Sequence, residues 1–394
     1  MNSQKLVSNR KKLKLVILDA NFYWAEQLFS AYSDYADILL LRPVDFRTFK
    51  KRYGSYFVDL KPRQINEGVW EQKICCPPGW LFHYWFLTES FLTYTIQKFQ
   101  GNNPLIFVFS YPYYHTLARK LKSYSIYYNI DDYRYYWMGR ETQTLEIEKL
   151  AINCANLTLC TANYRALYLK KVYPLEANQI THIPHGCSPK FMVEQPLSKP
   201  KSLPVELRSY SRPLVGYIGA LNYRFDFHYL AKVAKQISDV TIVLGGSPPQ
   251  PSDGSPEWFQ GVEALRSLSN IHFLGRVTHE RVGEYLQSFD VLLMPYSQCN
   301  FNLNACPMKL WDYMGTSLPI VANDVVPEVN LWNDIILVSK NPKEFAKNIR
   351  FALANPDWKS QQRWEVAQDH TWKKQAQKLH YQLEERKWLS QQSV

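Results

Sequence analysis

Residues 305–324 read ACPMKLWDYMGTSLPIVAND. The stretch predicts a short helix followed by an apolar strand. Pro307 fits the first turn, where a missing N–H has no intrahelical acceptor to lose, and Gly315 fits the position past the end. Met308, Leu310 and Trp311 can then face a sheet, while Lys309 and Asp312 carry opposite charges. Free backbone N–H groups and the positive end of the helix dipole make the first turn an anion site, with Lys309 beside it. Asp312 sits five residues beyond Pro307, about 7.5 Å along the axis. A carboxylate there can accept hydrogen bonds from two vicinal hydroxyls, so the spacing suits a nucleoside diphosphate lying along the helix. An ordinary Lys–Asp surface pair fits the same residues, and only the rest of the chain can decide.

Outward from this stretch, short apolar runs alternate with helix-period segments. LKLVILDA, ADILLLRP, PLIFVFS, SIYYNIDD, ANLTLCTA and QITHIPHG read as buried strands in the first half. HTLARKLKS, ETQTLEIEKLAINC and NYRALYLKKVYP, the last stopping at Pro174, show apolar residues at three- and four-residue steps. Residues 193–213 carry four prolines and little periodicity, a linker composition. The alternation then restarts with PLVGYIGA and FDFHYLAKVAKQISD and runs to PKEFAKNIRFALAN. This pattern predicts an α/β chain of two doubly wound, Rossmann-like domains facing across a cleft, with ligands at the carboxyl ends of the strands. The expected divisions are 1–192, a linker at 193–213, a second domain at 214–371, and a helix at 372–394 that packs back on the first domain.

Composition sets the outer bounds. The chain has 394 residues, enough for two cores, and no apolar run approaches a membrane span. The basic N-terminus turns directly into a strand pattern, with no signal peptide, so a cytoplasmic location is expected. Seven cysteines without C-x-x-C or zinc spacing are expected to be reduced thiols. The net charge is +11, and residues 1–196 hold 24 Lys and Arg against 16 Asp and Glu. The densest basic stretch is 42–63. Such a half suits an anionic partner or is a solvated basic surface. Without a zinc finger, RNA-recognition signature or basic helix, no nucleic-acid partner is expected. GWLFHYWFLTESFLTYTIQKFQ, residues 79–100, is an aromatic helical stretch that fits either core or a membrane or acceptor contact.

Other polar residues fall at strand ends. Asp131 and Asp132 close SIYYNI. Adjacent acids alternate faces, so one can reach a ligand hydroxyl at the strand ends; the pair equally fits an Asx cap for the next loop. His115, after FSYPYY, and His185, in IPHGC, can bond a ligand hydroxyl or serve as buried structural histidines. No D-x-D occurs at these positions, so no metal ion is expected.

The order NIHFLGRVTHERVGEYLQSFDVLLMPY … PMKLWDYMGTSLPIVAND resembles the C-terminal domain of GT-B-fold retaining glycosyltransferases. YYNIDDYRYYW … ETQTLEIEKLAINCANLTLCTA … ITHIPHGCSPKF resembles the branch containing teichuronic-acid-type sugar transferases. The likeness runs over roughly residues 105–335. It implies transfer of a sugar from a nucleotide-sugar donor to a lipid-linked, polysaccharide or other cell-envelope acceptor, with retention of configuration and no cofactor. By position, Asp312 replaces the family's ribose-binding glutamate. Lys309 and nearby amides, Met308 included, lie by the diphosphate. Arg224 in GALNYRFD takes the place of a phosphate-binding basic residue, and Gly219 opens that loop to the donor. The catalytic set implied is Arg224, Lys309 and Asp132, with Asp131, His115 and His185 on the acceptor side. The chain departs from the family at Asn304, where an acid is usual, at Asp312, where Glu is usual, and at LDANFYWAEQ, which replaces a glycine-rich loop. These departures keep open a non-catalytic nucleotide- or sugar-binding protein on the same fold. A basic acceptor domain further implies a peripheral position on an anionic membrane surface.

Overall fold

The computed structural model describes residues 12–54, 59, 61–136, 139–173, 179–198 and 202–386. Residues 1–11, Pro174, and parts of the basic stretch, the expected linker and the C-terminal segment lie outside that set. Contacts divide the chain into two compact units. Residues 1–161, 166–184 and 372–394 form the first, and residues 162–165 and 185–371 the second.

The first unit runs β1 (Lys14–Leu18), α1 (Tyr23–Ser30), β2 (Asp37–Asp45), α2 (Phe46–Tyr53), β3 (Arg63–Asn66), β4 (Val69–Cys76), α3 (Trp85–Gln100), β5 (Leu105–Phe109), α4 (His115–Leu121), β6 (Tyr124–Asn129), α5 (Glu141–Cys154), β7 (Leu157–Cys160), α6 (Asn163–Val172) and β8 (Ile180–His182). Its eight-stranded sheet has the order β3-β4-β2-β1-β5-β6-β7-β8. The pairing is parallel except for the β3–β4 hairpin. Residues 15–18, 38–41 and 105–109 are buried and apolar, as strands covered on both faces require. The chain leaves β1 first toward β2 and later toward β5, which makes β1 the switch point of this sheet.

The second unit runs β9 (Leu214–Ile218), α7 (Phe227–Ala234), β10 (Thr241–Gly245), α8 (Pro256–Arg266), β11 (Ile271–Gly275), α9 (Val282–Ser288), β12 (Val291–Met294), α10 (Asn300–Leu303), α11 (Met308–Gly315), β13 (Ile320–Asn323), α12 (Pro327–Asn330), β14 (Leu337–Ser339), α13 (Pro342–Ala354) and α14 (Ser360–Asp369). Its six strands are parallel in the order β11-β10-β9-β12-β13-β14, so β9 is again the switch point. The last helix, α15 (Trp372–Glu385), belongs to the first unit and packs on α1. There His380 meets the Tyr32 hydroxyl at 3.0 Å and stacks on Tyr35 at 3.8 Å.

Several local expectations change. The chain divides after Pro184 rather than 192. Residues 185–192 cluster with the second unit because the Cys187 N–H donates to the His370 carbonyl and Phe191 is buried in the second core. The proline-rich segment after 192 packs instead of dangling. Val193 N–H donates to Gly315 O, Leu197 N–H to Ser317 Oγ, and Leu207 is buried. Residues 46–53 of the basic stretch form α2, capped by Asp45, which accepts from the Arg47 and Thr48 amides, with Lys50, Lys51 and Arg52 in the last turn where the dipole favours cations. Pro307 is the N-cap of α11, one position ahead of its expected place. Gly315 is the last helical residue rather than a left-handed cap, and its lack of a side chain has a packing reason: a Cβ there would meet Cys187 Sγ at 2.8 Å.

Candidate functional site

The carboxyl ends of β9, β10 and β11 and the start of α11 enclose a cavity of about 670 Å³ within the second unit. Each wall has a local cause. The Gly219 N–H donates to Gly245 O at 2.7 Å, and Gly246 N–H to Gly275 O at 2.8 Å, which ties the three strand ends together. Tyr313 of α11 accepts the Ile218 N–H at 3.3 Å and fixes the helix against β9. Leu310, Trp311, Tyr313 and Met314 are buried, so the opposite side of α11 is left to Met308, Lys309 and Asp312.

Lys309 extends over the mouth of β9. Its ammonium lies 5.1 Å from the Tyr217 ring centroid, and its Cε and Nζ fill the space beside Gly219 that any side chain would need. The amides of Met308 and Lys309 belong to the first turn, whose N–H groups have no intrahelical acceptor. Together these groups make a cationic end to the cavity. Asp312 supplies the other end. Burial raises its pKa to about 7, against the Ser188 amide hydrogen bond and the charges of Lys309 and Lys190. A ligand with one anionic group and one donor pair, spaced by about one helical turn, matches this arrangement.

Gly219, Met308, Lys309 and Asp312 therefore meet in one cavity. Arg224 and Asn304 are not among its lining residues. The Arg224 guanidinium lies 4.6 Å from the Phe301 ring centroid, and its carbonyl accepts from Asn302. Asn304 caps α10, donates to Asn300 O, and has an Oδ1 that is buried without a hydrogen-bond partner. Sequence reading missed Gly245, Gly246, Ser247, Thr278, Glu280 and Phe191, which complete the walls. Arg276 also lines them. The doubled glycine closing VTIVLGGS was the one local signal for the missed group.

The first unit holds most of the acceptor-side candidates. Asp132 is buried and paired with Arg134, whose Nε donates at 2.8 Å and whose amide it caps at 3.3 Å. That is the loop-capping geometry. Asp131 accepts from the Tyr136 hydroxyl at 2.6 Å. His115 opens α4 with Nδ1 3.1 Å from Pro112 O, and burial lowers its pKa. His185 is buried and falls in the second unit. The segment in place of a glycine-rich loop puts Asp19 at the end of β1 in left-handed conformation, φ 70°. Asn21 and Tyr114 donate to its carboxylate, and burial raises its pKa to about 6. Among the described residues, no group of three or more His, Cys, Asp or Glu side chains is placed to hold a metal ion.

Residues 212–355 match the family described as Glycosyl transferases group 1. TuaH of Bacillus subtilis (strain 168), named as a teichuronic acid biosynthesis glycosyltransferase, is 21% identical over 195 residues, 48% of this chain and 47% of that protein. The chain thus aligns with about half the length of that relative. Sucrose-phosphate synthase from Thermosynechococcus elongatus superposes over 96% of this chain and 100% of its own, with 18% identity and a TM-score of 0.67. Anabaena Alr3699/HepE, solved with UDP, covers 95% of this chain and 100% of its own, with 14% identity and a TM-score of 0.68. At these identities the two structures speak for the fold.

Proposed function

We propose that this chain, which has the GT-B fold and carries a group 1 glycosyl transferase match over its second unit, transfers a sugar from a nucleotide-sugar donor to a lipid-linked or polysaccharide acceptor. The cavity at the start of α11 carries this reading. The donor's diphosphate lies at the Met308–Lys309 turn and its ribose hydroxyls on Asp312. Gly219 lets the backbone approach the phosphates. Arg224 is the second cation of the set, one loop away.

In this reading the reaction retains anomeric configuration. The acceptor oxygen bonds to the anomeric carbon as the bond from that carbon to the phosphate oxygen breaks. The acceptor's proton passes to the departing diphosphate on the same face. The protein's contribution is to stabilise the charge that grows on the leaving group, through Lys309 and the helix N-terminus. These fixed cations take the part a divalent metal plays elsewhere, so we propose metal-independent transfer. The first unit holds the acceptor, and the chain works at the cytoplasmic face of an anionic membrane. No helix among the described residues is long and apolar enough to cross one.

The test is release of nucleoside diphosphate from a panel of nucleotide sugars, with and without extracted envelope lipids. Release that rises with a lipid extract is expected. No release from any donor, with or without acceptor, contradicts transfer.

A further inference from the structure

Helix α3 is apolar on its outward side as well as its inward one. Its buried side carries Thr88, Thr93 and Thr95 with Leu92 and Ile96. Two of those threonines satisfy their hydroxyls on the helix itself: Thr88 donates to Tyr84 O at 3.3 Å and Thr93 to Glu89 O at 2.7 Å. The outward side exposes Phe86 at 65%, Leu87 at 59%, Phe91 at 41% and Tyr94 at 62%. At 100° per residue these four fall with Ser90, Gln97 and Lys98 in one arc of about 140°. Single exposed apolar residues are ordinary on a protein surface; four on one helix face form a contiguous patch that marks an interaction site.

Charge selects the partner. The arc holds one cation, Lys98, whose ammonium lies 5.6 Å from the Tyr94 ring centroid, and no acid. Glu89 turns away, accepting from Thr116 at 2.7 Å and pairing with Lys120. Helix α4 packs beside α3 and adds the exposed Arg119 and Lys120 at its last turn. A second copy of the chain laid on this face would bring these cations against one another. An aromatic and aliphatic face edged by cations instead fits the headgroup–acyl boundary of an anionic bilayer.

We infer that the outer face of α3 is a docking surface for an anionic lipid bilayer. Phe86, Leu87, Phe91 and Tyr94 enter the boundary layer, and Lys98 with Arg119 stays among the headgroups. The inference rests on the membrane-bound acceptor of the preceding reading and gives it an address. The N-terminal end of α3 leads to the end of β1: Trp85 stacks on Tyr114 at 5.4 Å, and the Tyr114 hydroxyl donates to Asp19 at 3.3 Å. A bilayer against α3 therefore presents its headgroups beside the switch point of the first sheet.

The test is co-sedimentation of the full chain with phosphatidylcholine vesicles and with vesicles that also contain phosphatidylglycerol. The wild type should bind the anionic vesicles and not the neutral ones. Changing Phe86, Leu87, Phe91 and Tyr94 together to Ser should weaken binding by about tenfold or more. Lys98→Gln with Arg119→Gln should weaken it and flatten its salt dependence. Leu87→Trp provides a second readout, a blue shift of indole emission on adding anionic vesicles. An unchanged circular dichroism spectrum and melting temperature should show that each variant is folded, and unchanged nucleoside diphosphate affinity separates this test from that of the donor site. Equal vesicle binding by the wild type and the Ser variant overturns the inference. So does a wild-type dimer that the Ser variant dissociates, which would give the face to a second copy.

Discussion

Gly219 and Lys309 are in contact such that no side chain fits between them: a Cβ on residue 219 would occupy the space of the Lys309 Cε and Nζ. The loop leaving β9 and the start of α11 are thus held at the distance of a lysine side chain. Gly219→Ala must displace that ammonium from the cavity mouth. We expect nucleoside diphosphate affinity to fall and the melting temperature to fall with it, because residue 219 has φ 157°, where a side chain is strained even after the end of Lys309 swings aside. Unchanged affinity in calorimetry would separate Lys309 from the phosphate site.

The carboxyl of Asp312, half-buried at the cavity wall, sets a pH dependence of stability. Its pKa is about 7 in the folded chain against 3.8 as the ordinary value. Between those values the folded chain keeps a proton that the unfolded chain has lost. The unfolded state therefore binds fewer protons, and stability falls as pH rises across the window. Asp312→Asn removes this slope but leaves the similar contribution of Asp19. The melting temperature of the wild type, relative to that of Asp312→Asn, should fall between about pH 4 and about pH 8. A difference that stays constant with pH contradicts the raised pKa of this carboxyl.

At Gly315 two effects oppose each other. Alanine is favoured over glycine in a helix by about 1 kcal/mol, while overpacking a filled core costs about 1–3 kcal/mol. The added Cβ meets Cys187 Sγ at 2.8 Å and Met192 Cγ at 3.2 Å, with the Phe191 carbonyl at 3.4 Å. Packing should win, so Gly315→Ala destabilises, and Cys187→Ala added to it should recover part of the loss. Denaturant melts of the single and double variants provide the comparison. A stabilised single variant would return Gly315 to a mere helix end.

Much of the fold was legible because strand and helix leave local periodicity. ETQTLEIEKLAINC coincides with α5, and the apolar runs from LKLVILDA to ANLTLCTA coincide with strands. The β3–β4 hairpin escaped. Arg63, Gln64 and Asn66 are exposed at the sheet edge, and VWEQKICC mixes charges into its buried face, where Glu71 pairs with Arg42 and Arg63. The site divides in the same way. Met308, Lys309 and Asp312 share one short helix, so spacing alone joined them. Gly246 and Thr278 reach the cavity from the ends of β10 and β11 and Phe191 from the segment after β8, and nothing local links them. Asp132 shows the reverse case: a strand-end acid that reads as catalytic is occupied by Arg134 two residues on.

If Lys309 and the start of α11 carry the leaving group's charge, transfer needs no divalent ion. Activity should survive excess EDTA, and added magnesium or manganese should change it little. Loss of activity on chelation that manganese restores would sink this part of the account.

The most direct measurement is calorimetric titration with a panel of nucleoside diphosphates against the wild type, Lys309→Ala and Asp312→Ala. At least one nucleoside diphosphate should bind the wild type. Asp312→Ala should weaken it by about 1–3 kcal/mol, the cost of leaving a buried hydrogen-bonding group without its partner. Lys309→Ala should weaken the diphosphate more than it weakens the parent nucleoside. Binding that ignores both substitutions, or a panel in which nothing binds, would contradict a nucleotide site along α11.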